Sequence, residues 1–174
     1  LDKLSAYGIG ISLAGGETAD VGDIVRTIDV GYTAFARMKR VDVVDIKIQA
    51  GDYIVGFSSF GQSVYEDAYN GGMGSNGLTS SRHDVLSKYY AEKYPESFNP
   101  NIPEEVVYTG SKRLDDKVQL DHQNIDVGKL ILSPTRTYMP LIKPMIEQFK
   151  PYIHGLVHCS GGGQTKVSKF MPSN

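Results

Sequence analysis

The chain has 174 residues, of which 40% are apolar and 22% are charged, a composition typical of a soluble globular protein rather than a disordered or fibrous one. It has 18 Lys and Arg residues and 20 Asp and Glu residues. This near balance argues against a dedicated nucleic-acid binder, because such proteins usually carry a basic excess. No apolar run approaches the roughly 20 residues of a membrane span. The single cysteine, Cys159, excludes an intrachain disulfide framework and a cysteine-based zinc cage.

The first third of the chain predicts strands that end in turns of small residues. The residues from Leu1 to Gly8 are typical of a helix end. The strand patterns that follow are Ile9–Leu13, which leads into Gly15-Gly16, then Val25–Arg37 and Tyr53–Phe57. Near residues 41–50 a β-rich pattern gives way to a mixed one, which predicts one domain over 1–40 and another over 41–174.

The rest of the chain alternates helix and strand patterns. In chain order, the predicted elements are the helix Gly77–Tyr90, the strand Lys129–Leu132, a helix that starts near Pro140 and the strand Ile153–Val157. Ser75 or Asn76 is expected to cap the first of these helices. The polar stretch from Glu104 to Asp126 fits neither pattern. This alternation predicts a mixed α/β or α+β fold.

Glycine is in excess, with 19 residues in the chain, and it is clustered. Where a glycine-rich turn opens a helix, backbone N–H groups can converge on an anion without interference from a Cβ atom. The segments Ser75–Gly77 and Gly161–Gly163 fit this description and predict phosphate sites, although plain turns are an equally good interpretation. Neither segment matches the common phosphate-loop or dinucleotide-binding patterns.

Oxygen donors and a guanidinium follow two of the predicted strands. Glu17, Thr18 and Asp20 offer the kind of oxygen ligands that Mg²⁺ takes, the alternative being a helix cap in a solvated turn. Thr135 and Arg136 combine a hydroxyl with a planar guanidinium, which suits a phosphate group, the alternative being an ion pair that anchors the loop.

The histidines and the cysteine differ in their surroundings. His158 adjoins the triple glycine and is the best candidate for acid–base work or anion binding, although a structural role is an equal alternative. His154 lies four residues earlier, on the same face of the predicted strand. His83 and His122 are expected at the surface, the former as a hydrogen-bond donor if not solvated, and Cys159 is expected to be a small packed residue.

Four motifs, in order and over nearly the whole chain, resemble aminoimidazole ribonucleotide synthetase, the phosphoribosylformylglycinamidine cyclo-ligase of purine biosynthesis. They are Gly15-Gly16-Glu17-Thr18-Ala19-Asp20, Gly74-Ser75-Asn76-Gly77, Leu132-Ser133-Pro134-Thr135-Arg136-Thr137-Tyr138 and His158-Cys159-Ser160-Gly161-Gly162-Gly163. The match rests on their combination and spacing, which is far more specific than any one motif.

The resemblance implies an ATP-dependent ring closure in a cytoplasmic homodimer that needs Mg²⁺ and binds neither nucleic acid nor membrane. ATP is thought to convert the formyl amide oxygen of formylglycinamidine ribonucleotide into a phosphorylated leaving group, after which the amidine nitrogen attacks and closes the imidazole. The implied fold is α+β: the end of an N-terminal α/β, ATP-binding domain with dimer-forming strands, joined to most of a C-terminal α+β domain.

The resemblance also implies roles for individual residues. It places Gly15, Gly16, Glu17, Thr18 and Asp20 near the nucleotide phosphates, with Glu17 on the metal. It assigns substrate binding to Ser75, Asn76, Gly77, Thr135, Arg136, Gly161, Gly162 and Gly163. It assigns the reacting centre to His158 as the catalytic residue.

Two features qualify what this chain does on its own. Gly74 stands where many relatives carry a histidine, and the family's chains are longer, so a fragment that lacks both ends is expected and is not expected to turn over alone. Alternatives are another ATP-using member of the superfamily, of the thiamine-monophosphate kinase or selenophosphate synthetase type, or a fragment that only folds and dimerises.

Overall fold

The computed structural model describes residues 2–25, 28–120 and 122–172. Its helices are α1 Asp2–Ser5, α2 Ser75–Val85, α3 Tyr89–Lys93, α4 Val127–Ile131 and α5 Met139–Phe149, and its strands are β1 Lys117–Leu120 and β2 Gln123–Asp126. Short 3₁₀ helices cover Arg40–Asp42, Pro95–Ser97, Glu104–Val106, Lys150–Tyr152 and Gly163–Phe170. Helices beside a small antiparallel sheet confirm the predicted α+β class.

The chain forms two compact units, and neither is a continuous stretch of sequence. The first unit comprises the described residues within Leu1–Val21, Asp29–Gly56 and Thr137–Asn174, and the second those within Gly22–Ile28 and Phe57–Arg136. The predicted division into domains 1–40 and 41–174 stays a prediction. No helix in the described ranges is long and apolar enough to cross a membrane.

The second unit contains a small apolar core. Leu86, Val107, Tyr108 and Val127 are each at most 5% exposed and pack together. Leu86 reaches this core because α2 ends at Val85 and the chain turns extended, with Leu86 bridging to Lys112. Full burial of an apolar side chain contributes about 1.5–3 kcal/mol, so these four residues are a main source of the unit's stability.

The last part of the ambiguous polar stretch contains two paired strands, and the second leads directly into α4. Strands β1 and β2 pair antiparallel with Lys117 opposite Asp126, and these two side chains also form an ion pair. The prediction of a strand over Lys129–Leu132 is wrong. Three apolar residues, Val127, Leu130 and Ile131, lie at helical spacing, and they form one face of α4.

The predicted helices are present, with shifted ends. Helix α2 begins two residues earlier than expected, so Ser75 and Asn76 are its first residues and the cap is Gly74. Helix α5 starts at Met139, and Pro140 lies in its first turn, where the missing N–H group costs nothing. The prediction of a helix start near Pro140 is thereby confirmed.

The predicted strands of the first and last parts of the chain are not formed. Ile9–Leu13, Tyr53–Phe57, Ile153–Val157 and the described part of Val25–Arg37 belong to no helix or strand, and residues 26 and 27 lie outside the described residues. A strand requires a hydrogen-bonded neighbour. In the first unit one backbone bond of this kind joins Lys47 N–H to the carbonyl of His154, at 2.7 Å.

His83 is buried in the second unit rather than exposed, so the expectation of a surface histidine is wrong. It is 7% exposed, and its Nδ1 accepts a hydrogen bond from the backbone N–H of Tyr108 at 3.2 Å. The Thr109 N–H donates to the His83 carbonyl at 2.7 Å. These bonds hold Tyr108 in a left-handed conformation with φ of 47°, which is unfavourable for a bulky residue.

Burial makes His83 a pH-sensitive part of this core. Desolvation first, and then the nearby charge of Arg82, lower the pKa of His83 below its ordinary value of 6.5. The neutral ring is therefore the native form. As the pH falls below about 6.5, the unfolded chain takes up this proton before the folded chain does, and stability decreases.

We predict that the melting temperature falls between pH 7.5 and pH 5.5, and that His83→Asn reduces the fall. Asparagine cannot titrate here, while its Oδ1 can accept the Tyr108 N–H in place of Nδ1. The exposed His122 supplies the control variant His122→Asn, whose melting temperature should show the wild-type pH dependence. An equal pH dependence in His83→Asn and wild type would contradict this role.

Candidate functional site

Four of the residues assigned to substrate by the resemblance begin α2 or lie close to its start in the second unit. The backbone N–H of Met73 donates to the carbonyl of Ser133 at 3.1 Å. A Cβ atom at Gly74 would lie 4.0 Å from Thr135 Oγ1. The structure therefore brings Ser75–Gly77, the first turn of α2, together with Thr135.

The first turn of α2 has the properties of an anion-binding backbone. Its cap, Gly74, has no side chain and makes no side-chain capping bond. Ser75 and Asn76 are exposed, and Gly77 is half-buried. The first N–H groups of a helix have no partner within the helix and carry the positive end of its dipole. The Gly77 N–H already donates to the Gly74 carbonyl at 2.9 Å, so the N–H groups of Ser75 and Asn76 are the ones that can donate hydrogen bonds to a phosphate or carboxylate group.

Arg136 follows Thr135 in the chain, and its side chain is buried. Its guanidinium is bidentate to Glu66, with Nε to Oε1 at 2.9 Å and Nη2 to Oε2 at 2.8 Å. Nη1 donates to the carbonyl of Ser58 at 2.7 Å, and Nη2 to that of Gly61 at 2.8 Å. The side chains of Arg136 and Glu66 are 7% and 14% exposed.

Glu66 is held in its charged form. The guanidinium of Arg136 is the main cause that lowers the pKa of Glu66 below its ordinary value, and burial opposes it. The backbone N–H of Ser63 and the amide of Asn70 also bond to this carboxylate, at 2.7 and 3.2 Å. The structure thus shows the alternative of a loop-anchoring ion pair for Arg136, and direct contact between Arg136 and substrate stays a prediction.

Sequence reasoning missed Glu66. It lies 70 residues before Arg136, in a loop with no recognisable motif, and nothing in one sequence pairs two charges over such a distance. The signal that was available is local: Glu66 and Asn70 are polar residues at a four-residue spacing between the small-residue turns of Gly61 and Gly71-Gly72.

In the first unit, the predicted nucleotide segment is open to solvent. Gly15, Gly16, Glu17, Thr18 and Asp20 are all exposed. A Cβ atom at Gly15 or Gly16 would meet nothing within 4 Å. The described contacts of this segment therefore form no cradle. Its assigned roles toward a nucleotide stay predictions.

The triple glycine of the first unit forms a turn that only glycine tolerates well. Gly162 and Gly163 have φ of 85° and 54°, in the left-handed region, and the 3₁₀ helix Gly163–Phe170 follows. His158 is exposed and so is Cys159, which corrects the expectation of a packed cysteine. His158 is thus accessible to a ligand, and its catalytic role stays a prediction.

A second missed pair joins Asp52 to His154 in the first unit. His154 Nδ1 lies 2.8 and 2.9 Å from the two oxygens of Asp52. The backbone N–H of Gln49 bonds to the same carboxylate and is the main cause that lowers the pKa of Asp52. Together with the Lys47 bond, this pair ties residues 47–52 to the segment before the triple glycine, which gives His154 a structural role.

The carboxylates of Glu17 and Asp20 are of the donor type that a nucleotide-bound magnesium ion takes, but they are not part of a preformed ligand cluster among the described residues. Among the described residues, no group of three or more His, Cys, Asp or Glu side chains is placed to hold a metal. Mg²⁺ bound with phosphates commonly takes one or two carboxylates and completes its shell with phosphate oxygens and water. Glu17 and Asp20 have the donor type for that arrangement.

We predict that Gly77→Ala separates stability from binding. A Cβ atom at Gly77 would meet only Met73 Sδ, at 3.4 Å, and alanine favours a helix over glycine by about 1 kcal/mol. The variant should keep or raise the melting temperature. If substrate approaches this backbone closely, its affinity should fall, measured by titration calorimetry with the phosphorylated substrate. Unchanged affinity would remove Gly77 from the binding surface.

Comparison with known proteins gives three representative relatives, each named phosphoribosylformylglycinamidine cyclo-ligase. The chain is 30% identical to that of Thermococcus kodakarensis over 162 residues, 29% identical to that of Pyrococcus furiosus over 163, and 28% identical to that of Methanocaldococcus jannaschii over 161. In each case the match covers 92% of this chain and 36% of the relative. No family model matches the chain.

The chain thus spans little more than a third of the length of the curated relatives it matches. The resemblance that the four motifs predict is confirmed over nearly all of the chain.

Proposed function

We propose that this chain is part of a phosphoribosylformylglycinamidine cyclo-ligase that closes the imidazole ring of formylglycinamidine ribonucleotide at the expense of ATP. The observation that carries the proposal is the similarity to enzymes of this name over 92% of the chain. The relatives do not favour the kinase-like alternatives. Because the chain matches 36% of each relative, the activity is proposed for the complete protein and not for these 174 residues alone.

The reaction needs three things from the protein. The formyl oxygen must receive a phosphoryl group and leave as phosphate, the amidine nitrogen must approach the formyl carbon, and a proton must be removed from that nitrogen. Holding both ends of one molecule supplies the proximity. ATP, held with Mg²⁺, supplies the phosphoryl group and leaves as ADP.

The start of α2 is proposed to hold the substrate. The N–H groups of its exposed residues Ser75 and Asn76 suit an anionic group such as the ribose phosphate. Ser75 and Asn76 add exposed polar side chains, and the hydroxyl of Thr135 lies close to the Gly74 cap. This arrangement supports binding by backbone amides and neutral donors, with Arg136 engaged by Glu66.

The first unit is proposed to supply the nucleotide and acid–base groups. Glu17 would hold the Mg²⁺ ion, with Gly15, Gly16, Thr18 and Asp20 beside the nucleotide phosphates. His158 would carry the proton, since it is exposed and lies close in sequence to the glycine turn Gly161–Gly163, which would face the substrate.

We predict that the complete protein, given formylglycinamidine ribonucleotide, ATP and Mg²⁺, forms an aminoimidazole product with one ADP and one phosphate per ring closed. His158→Asn should lower kcat by roughly 100-fold or more, as expected for loss of a general acid or base, while His122→Asn should not. Product is measured by diazotisation of the aminoimidazole, and phosphate by a coupled assay.

The contrary outcomes are distinct. A phosphorylated product without ring closure and without free phosphate would favour a kinase. Turnover by the isolated 174-residue chain would contradict the proposal that the activity needs the complete protein.

We also propose that the complete protein is a homodimer and that exposed apolar residues of the first unit take part in it. Tyr32, Phe35 and Tyr53 are 87%, 86% and 96% exposed. Large apolar side chains this exposed are candidates for burial against a partner chain. The resemblance assigns dimer-forming strands to the N-terminal domain, residues 1–40, which contains Tyr32 and Phe35.

The expected result for the complete protein is a dimer by light scattering coupled to gel filtration. Tyr32→Lys combined with Phe35→Lys should shift it toward a monomer, because burying two charges at an interface is costly. Lys39→Glu, an exposed change of charge nearby, serves as the control. A wild-type monomer, or a dimer unaffected by the double change, would contradict the proposal.

A further inference from the structure

We propose that Glu66 and Asn70 are positioning residues for the substrate-binding start of α2. Glu66 fixes Arg136, and Asn70 transmits that placement to the backbone at Gly72, two residues before the α2 cap. This inference rests on the proposed function, which assigns Ser75–Gly77 to substrate. It gives Arg136 a role through geometry rather than through contact with the substrate.

One guanidinium, that of Arg136, anchors the loop from residue 58 to residue 66. The bonds from Arg136 described above end on Glu66 and on the carbonyls of Ser58 and Gly61, all within nine consecutive residues. A planar guanidinium fixes the direction of each of its bonds. The path of the loop from residue 58 to residue 66 is therefore determined by where Arg136 lies.

The loop is joined to α2 through Asn70. Its Nδ2 donates to Glu66 Oε1 at 3.2 Å, and its Oδ1 accepts the Gly72 N–H at 2.7 Å. Two backbone bonds, at 3.0 and 2.9 Å, pair Asn70 with Gly61. Gly72 adopts a φ of 64°, and a Cβ atom there would lie 2.0 Å from the carbonyl oxygen of Ser59. The backbone at residue 72 is thus packed directly on the loop.

The chain from Gly72 to α2 is short and held on its other side. Met73 donates to the carbonyl of Ser133, three residues before Arg136. Met73 Sδ also accepts a hydrogen bond from Ser81 Oγ, in the second turn of α2, at 3.5 Å. A shift of the loop at residues 58–72 would therefore move the first turn of α2 and its N–H groups.

The charge of Glu66 also affects how an anion would bind at the start of α2. Glu66 neutralises Arg136, so the buried guanidinium presents little net charge to an anion at the start of α2. Anion binding there would depend on well-placed backbone donors, which lose their effect when displaced. This is why a carboxylate that does not touch the substrate should control the affinity for it.

The test uses the complete protein that contains this chain. Glu66→Gln and Arg136→Lys should each raise KM for formylglycinamidine ribonucleotide by roughly 10-fold or more, with KM for ATP within about twofold of wild type. Asn70→Ala should show a smaller rise. The double variant Glu66→Gln with Arg136→Lys should raise this KM no further than the more impaired of the two single variants does, because both changes disrupt the same ion pair. Glu92→Gln, an exposed carboxylate on α3, is the control.

Two results would overturn the inference. If Arg136→Lys alone raised KM, while Glu66→Gln and Asn70→Ala matched wild type, Arg136 would contact the substrate directly. If the variants lowered the melting temperature with KM for the ribonucleotide unchanged, the loop would be structural only. Should the buried-pair variants fail to fold, Asn70→Ala decides the matter, and wild-type kinetics for it would also overturn the inference.

A readout without turnover separates this inference from the proposed function. Hydrogen exchange followed by mass spectrometry should show faster exchange of the amides at 72–78 in Glu66→Gln and Asn70→Ala than in Glu92→Gln. Unchanged exchange there would overturn the inference even in an active enzyme. Faster exchange in a protein that forms no aminoimidazole would support the positioning role and reject the proposed substrate.

Discussion

The ion pair between Arg136 and Glu66 is the interaction on which the candidate site of the second unit depends. A guanidinium that is 7% exposed must have its charge matched and its N–H groups satisfied. Glu66 does the first, and the carbonyls of Ser58 and Gly61 share in the second. Removing one partner of a buried pair typically costs about 3–5 kcal/mol, because the other charge stays behind.

The same pair explains why glycine is needed around it. The end of the loop that Glu66 anchors packs against its beginning. Gly72 lies so close to the carbonyl of Ser59 that a side chain at position 72 could not be accommodated. Two residues later Gly74 opens α2 without a capping side chain. The N–H groups of the exposed residues Ser75 and Asn76 follow directly, at a place that, as we propose, the buried ion pair holds fixed. Recognition of an anion by such donors depends on their position more than on added positive charge.

How far the sequence predicted the structure depends on the range of the interactions involved. The α+β class, the presence of helix α2 and the start of α5 near Pro140 follow from local spacing and from the chemistry of proline, and these were predicted correctly, although α2 spans Ser75–Val85 rather than Gly77–Tyr90. The strands Ile9–Leu13 and Tyr53–Phe57 were not, because a strand needs a partner that local pattern does not supply.

In the candidate site too, local features could be predicted and long-range pairs could not. The glycine-rich start of α2 could be recognised from its residues alone. The partners of Arg136 and of His154 could not, since Glu66 and Asp52 are separated from them by 70 and 102 residues. His83 was misjudged for a related reason: its helix is polar, and its burial comes from the distant segment at Tyr108.

The most direct measurement is a crystal structure of the complete protein with the phosphorylated substrate or product bound. The account predicts phosphate oxygens within about 3 Å of the backbone N–H groups of Ser75 and Asn76, with Arg136 still paired to Glu66. A ligand bound away from the start of α2, or an Arg136 side chain turned from Glu66 onto the ligand, would contradict it.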